Sequence, residues 1–308
     1  MVLGVDIGGT HISVAIIDEN VPDQVQNIYT MEISNTLSSD LILDSWIGVI
    51  ELAIDNLGNE KLKGIGIAMP GPFDYEKGIF PDKGKNKFEM LSNFNLKGHI
   101  IKKLNLKSSV SVRFHNDAAC FGIGEAWVGE LVSCDKAIAI TLGTGLGATF
   151  LDKGIPILEG KGVPLYGELY HLPFGNDIAD TSFSTVWFQK RYKELTNEEI
   201  IGVKELIRFE KDNIATTKIF KEFSENLAIF LTPWLLDFEA EAIVIGGNIS
   251  NAWTFFIEDL IQTFNKLDIT IPIYKSKLRE SAALIGAARL IDDDFFLELS
   301  DEDKYIKS

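Results

Sequence analysis

Three polar side chains in a row, His115, Asn116 and Asp117, end the apolar run of "VSVRFHNDAACFG" and precede small, helix-compatible residues. At such a junction Asn and Asp cap helices, because their side-chain oxygens accept the free N–H groups of a first helical turn. A carboxylate in the same place can also take a proton from a hydroxyl within hydrogen-bond reach. Capping is the plainer reading of this stretch alone. Two glycine turns raise the second. "DIGGT" (Asp6 to Thr10) and "TLGTGLG" (Thr141 to Gly147) each offer consecutive backbone N–H groups that can form an anion nest, with a threonine hydroxyl as an uncharged extra donor. Either turn alone reads as an ordinary hairpin. The pair, in equivalent places of two similar halves, suits a polyphosphate held across a cleft. Asp6 would then hold a hydrated Mg²⁺, an ion that keeps several waters and takes one or two carboxylates plus phosphate oxygens. A third turn, "IVIGGNIS" (Gly246, Gly247, Asn248), lets backbone approach a flat ring such as adenine. It lacks the GxGxxG spacing of a dinucleotide fold.

The elements that carry these residues repeat. "LGVDIGGTHISVAIID" and "IAITLGTGLGATFLD" share one plan: an apolar strand, a turn of Gly and Thr, and a second apolar strand ending in Asp. Each predicts a β-hairpin whose turn needs glycine for positive φ or close backbone approach. After the first come a strand at "QNIYTMEI", a helix near 38–57, the strand "GIGIAM", a helix near 96–105 and the strand "VSVRF". After the second come a strand at "IPIL", an insertion and a long helix near 216–238. The strand "AIVIGG", a helix near 252–265, the strand "TIPIY" and the closing helix "ESAALIGAARLI" follow. The long helix spaces Ile219, Phe220, Phe223, Leu227, Phe230, Leu231 and Trp234 on one face, and Pro233 predicts a kink in it. The chain is therefore expected to be α/β, with a duplicated βββαβαβα unit. The expected lobes are a small one over 1–115, joined by the C-terminal helix at about 280–308, and a large one over 116–279.

Composition narrows the function classes. With 45 acidic and 29 basic side chains the formal charge is −16, which repels nucleic-acid backbones and anionic membrane surfaces. No apolar stretch approaches the ~20 residues of a membrane-spanning helix. Two cysteines, Cys120 and Cys134, cannot build a disulfide framework or a four-thiolate zinc site, which fits a reducing cytoplasm. The acidic end "DDDFFLELSDEDKYIKS" reads as a solvated tail, with Phe295, Phe296 and Leu297 packing on the small lobe or on a partner chain.

The stretches "GVDIGGT", "GIAMPGPFD", "HNDAACFGIGEAW", "ITLGTGLGATF", "GELYHLPF", "IVIGGNIS" and "ALIGAA" resemble, in order and spacing, the ROK family of sugar kinases and sugar-sensing repressors. That family lies within the actin-like, hexokinase-like ATPase superfamily. The resemblance implies a two-lobed actin-like (ribonuclease H-like) ATPase fold that binds ATP, Mg²⁺ and a sugar in the interlobe cleft, in a protein that usually forms a homodimer. It makes Asp117 the general base and Asn116, Glu168 and His171 sugar-binding groups. The glycine turns read above would then hold the ATP, with Asp6, Gly8, Gly9, Thr10, Gly143, Thr144 and Gly145 at the phosphates and Gly246, Gly247 and Asn248 at the adenine. Asn86 corresponds to the family's asparagine in the loop before the helix at 96–105, and Asp180 to a further sugar-binding Glu.

Three departures stand out. "LPFGNDIADTSF" has no cysteine, so the family's zinc motif is absent. Tyr170 replaces the family's Gly before the histidine, which reshapes the sugar pocket, and His11 replaces a basic residue after "DIGGT". Two other readings compete with the kinase. One is a non-catalytic sugar-binding regulator, but the family's repressors carry an N-terminal DNA-binding domain and this chain begins at its first strand. The other is an actin-like assembly ATPase, which has no use for the Asn-Asp and Glu-x-x-His elements.

Overall fold

A computed structural model describes residues 1–34, 37–58, 60–82, 88–208 and 213–306. The chain divides into two compact units, residues 1–129 with 280–304, and residues 130–279.

The first unit opens with β1 (Val2–Ile7), β2 (His11–Ile17) and β3 (Gln26–Glu32), followed by α1 (Ser39–Asp55), β4 (Gly64–Met69), α2 (Leu96–Lys103), β5 (Ser111–Asn116) and α3 (Asp117–Val128). Its sheet has the order β3-β2-β1-β4-β5, with β1 antiparallel to β2 and parallel to β4, and β4 parallel to β5. Every residue of β4 is buried, as expected of a parallel strand covered on both faces, whereas the polar edge strand β3 is largely exposed.

The second unit holds β6 (Lys136–Leu142), β7 (Leu146–Asp152) and β8 (Ile155–Ile157). The short pair β9 (Pro173–Phe174) and β10 (Asp177–Ile178) follows, then α4 (Ala179–Ser182), α5 (Thr185–Thr196), α6 (Val203–Leu206) and α7 (Ile214–Phe238). It ends with β11 (Ala242–Gly246), α8 (Trp253–Lys266) and β12 (Ile273–Lys275). The sheet order β12-β11-β6-β7-β8, with β6 antiparallel to β7 and parallel to β11, repeats the pattern of the first unit. The expected duplication is therefore present in full, with the second copy interrupted between β8 and α7. Six of the seven apolar side chains predicted to face inward along α7 are buried; Trp234 is half-buried and meets Phe150 edge-on. The helix continues past Pro233 to Phe238.

The last helices, α9 (Ser281–Arg289) and α10 (Asp293–Ile306), belong with the first unit through residue 304. There α9 crosses β1 and β4 at backbone contact: a Cβ on Gly66 would fall on the carbonyl of Ala287, and one on Gly286 on the carbonyl of Cys120 in α3. These approaches explain a difference from the sequence boundary. Helix α3, expected in the large lobe, packs in the first unit because it is clasped by α9. Two of the three apolar residues of the acidic tail also find their place here, whereas Leu297 is exposed. Phe295 is buried, and the Arg113 guanidinium lies 4.2 Å above the ring of Phe296.

Candidate active site

In the first unit the chemistry-bearing residues gather at the carboxyl ends of three neighbouring parallel strands. Asp6 pairs in register with Ala68 of β4, and Ala68 with His115 of β5. At ~4.8 Å per strand, Asp6 and His115 are thus about 10 Å apart along the sheet. The β1–β2 turn closes with Gly8 N–H donating to the His11 carbonyl at 3.0 Å, and the His11 ring covers Gly8, where a Cβ would meet its Cε1 at 2.5 Å. A side chain at Gly8 would thus have to displace the His11 ring; the φ of Gly8 is not positive. The Nε2 of His11 is 3.8 Å from Asp6 Oδ2. Burial pushes the Cys120 thiol pKa well up, and the charges of Asp117 and Asp6 raise it further.

At the exit of β5 the capping role falls one residue earlier than Asp117. Asn116 is the N-cap of α3, its Oδ1 accepting the Ala119 N–H at 3.1 Å. Asp117 is the first helical residue, with Oδ1 accepting the Ala118 N–H at 2.9 Å. Its charge is favoured by the partial positive charge of the helix start. The Asn116 amide also donates through Nδ2 to the Tyr75 hydroxyl at 3.4 Å, and that hydroxyl donates to the Met69 carbonyl at 3.1 Å. Sequence reasoning missed Tyr75, whose only signal is an aromatic ring just after "PGPFD". His115, unexplained by sequence, accepts the Asn116 N–H on Nδ1 at 2.7 Å. Burial lowers its pKa to about 4, and its Nε2 is buried with no protein partner.

The second unit assembles the other two turns. In the β6–β7 turn Gly143 N–H donates to the Gly145 carbonyl at 3.0 Å, and Leu146 N–H donates to Asp180 Oδ1 at 2.8 Å. Thr185 fixes the turn from outside, its N–H and hydroxyl both donating to the Gly143 carbonyl, at 2.9 and 3.0 Å. The Gly247 loop lies against the same turn. Gly247 has φ +77°, and a Cβ there would meet Leu142 N at 2.7 Å. Asn248 N lies 4.0 Å from where a Cβ on Gly143 would stand. The structure thus brings Gly143–Gly145 and Gly246–Asn248 together.

The loop bearing the remaining candidates turns sharply at Tyr166 (φ +62°) and Gly167 (φ +66°). Glu168 is half-buried, while Tyr170 and His171 are exposed with their rings edge to face, centroids 5.2 Å apart. Although the residue is exposed overall, partial desolvation of the Tyr170 phenol raises its pKa, and the charges of Glu168 and Asp180 raise it further. The ring that stands in place of a glycine is thus close to both carboxylates. The Tyr170 carbonyl accepts the Asp180 N–H at 2.8 Å, joining this loop to the β6–β7 turn. Asn86 lies outside the described residues. Among the described residues no cluster of three His, Cys, Asp or Glu could hold a metal, whereas a single half-buried carboxylate such as Asp6 suits an ion that keeps its water.

Residues 2–294 match the ROK family. The chain belongs to the ROK family. Relatives include an N-acetyl-D-glucosamine kinase of Mannheimia succiniciproducens, 27% identical over 94% of this chain and 99% of that protein. A beta-glucoside kinase of Listeria monocytogenes is 24% identical over 92% of this chain and 94% of that protein. Among solved structures, a ROK hexokinase from Thermus thermophilus superposes with a TM-score of 0.74 at 19% identity, covering 97% of this chain and 99% of that one. The ROK fold, two-lobed and actin-like, is therefore that of this chain. Within it, "ALIGAA" is explained by the crossing of α9 over β4 and α3.

Proposed function

We propose that the chain is an ATP-dependent sugar kinase that phosphorylates a hydroxyl of a hexose or amino sugar, with Asp117 as general base. The observation that carries this reading is a ROK match over residues 2–294 in which Asp117 opens a helix directly after the capping Asn116. The names of the relatives, an amino-sugar kinase and a glucoside kinase, support the substrate class.

Phosphoryl transfer asks a protein mainly to position groups and stabilise charge. Asp117, ionised at the start of α3, orients the sugar hydroxyl and takes its proton late in the reaction. Asn116, Glu168 and His171 bind other hydroxyls, and such a mixed set of donors and acceptors rejects isomers that leave it unpaired. The turns at Gly8–Thr10 and Gly143–Gly145 hold phosphates, and Gly246–Asn248 faces the adenosine. Asp6 would hold a hydrated Mg²⁺, which supplies neutralisation of phosphate charge when bound with ATP. The excess of acidic side chains fits a protein without a nucleic-acid partner, and the two free cysteines, Cys120 and Cys134, fit a reducing cytoplasm; the homodimer is what the family resemblance implies.

An ADP-release assay across N-acetylglucosamine, N-acetylmannosamine, glucose, mannose, fructose and a β-glucoside tests the reading. At least one supports turnover, and Asp117→Asn lowers kcat by roughly 10²- to 10⁴-fold. Turnover on none of them would overturn the kinase assignment; equal turnover in the variant would remove Asp117 as base.

A further inference from the structure

Asp180 makes two bonds that no sugar-binding role requires. Its Oδ1 accepts the Leu146 N–H at 2.8 Å, and its own N–H donates to the Tyr170 carbonyl at 2.8 Å. The neighbouring Ala179 N–H donates to the Leu172 carbonyl at 2.9 Å. One residue thus joins the Glu168–Leu172 loop to the β6–β7 glycine turn. The carboxylate passes directly over Gly145, so that a Cβ there would stand 2.5 Å from Asp180 Oδ1. Gly145 does not have a positive φ, so its small size is explained by this approach.

The arrangement matters to an anion nest because such a nest works only when its N–H vectors converge. In the β6–β7 turn the Gly143 N–H is fixed by the Gly145 carbonyl and the Leu146 N–H by Asp180. The N–H groups of Thr144 and Gly145 lie between these two anchored ends. Freeing the Leu146 end would let the turn relax, and backbone that is free to rotate binds phosphate less well because ordering it costs conformational entropy.

We propose that Asp180 is a positioning residue that locks the Gly143–Leu146 turn to the Glu168–Leu172 loop and so sets the geometry for phosphate. This rests on the kinase reading and gives the carboxylate at this position a structural task in place of the sugar contact that the family resemblance implies, since its Oδ1 is taken up by the Leu146 N–H. The acceptor oxygen does the work. An amide, which keeps an oxygen in the same place, substitutes for the carboxylate, and a methyl does not.

The test is a double-mutant cycle on the full chain, read as KM for ATP, KM for the sugar that the wild type turns over, and kcat. Binding of a non-hydrolysable ATP analogue by calorimetry and thermal melting accompany it. Asp180→Ala raises KM for ATP about tenfold with sugar KM within about twofold, a split that general loosening of the fold does not produce. Asp180→Asn stays near wild type. Gly145→Ala weakens nucleotide by a similar factor in the wild-type background and by less than about twofold when Asp180 is already Ala, because the atom it strikes has gone. Should Asp180→Ala raise only the sugar KM, or should the two substitutions add independently, the proposal is overturned. If no sugar is turned over, the kinase reading fails while the analogue-binding cycle still decides the clamp. Failure of the wild type to bind the analogue overturns both.

Discussion

The carbonyl oxygen of Cys120 in α3 occupies the place that a Cβ on Gly286 of α9 would take. This crossing holds the helix that begins with Asp117. Gly286→Ala must push backbone against backbone, and overpacking of this kind costs roughly 2–3 kcal/mol. Urea unfolding should show that loss, and kcat should fall more than KM rises because Asp117 moves with its helix.

His115 gives stability a pH dependence whose sign is fixed by its environment. Its pKa drops from an ordinary 6.5 to about 4 through burial, so between those values the unfolded chain takes up a proton that the folded chain refuses. The stabilisation is complete above pH 6.5 and declines as pH falls towards 4, by roughly 3 kcal/mol in total. Denaturation midpoints at pH 7.5 and 4.5 should differ by less in His115→Gln than in the wild type.

Asn116 carries two roles that substitution can separate. Asn116→Ala removes the N-cap of α3 and should cost about 1 kcal/mol in urea unfolding, whereas Asn116→Ser, which retains a capping oxygen, should cost a few tenths. Both should raise the sugar KM in the ADP-release assay. If only the alanine variant does so, Asn116 acts through the helix start and not through the sugar.

Gly247 is a position where a side chain is excluded twice, by φ +77° and by the backbone of Leu142. The left-handed conformation alone costs a non-glycine residue roughly 1–2 kcal/mol. Gly247→Ala should raise KM for ATP more than tenfold, by displacing the loop from the β6–β7 turn, and leave KM for the sugar nearly unchanged.

Much of this protein is written in local order. Runs of apolar residues, glycine turns and helix periodicity depend on neighbours in sequence, so the two copies of βββαβαβα and the candidate turns at Asp6–Thr10 and Thr141–Gly147 were legible without a structure, as was the ROK resemblance. Assignments that depend on distant partners were not. Which of Asn116 and Asp117 caps α3 is decided by the turn in which β5 becomes helix, and the place of α3 in the first unit by its contact with Gly286. Asp180 reads as one acidic residue among many until folding sets it on the N–H of Leu146, thirty-four positions away. His115 likewise reveals itself only once burial removes its water. Sequence determined the kinds of elements and their order, because hydrogen bonding and patterning act along the chain. Tertiary packing decided which side chains hold one another in place, because that depends on contacts that exist only after the chain has closed.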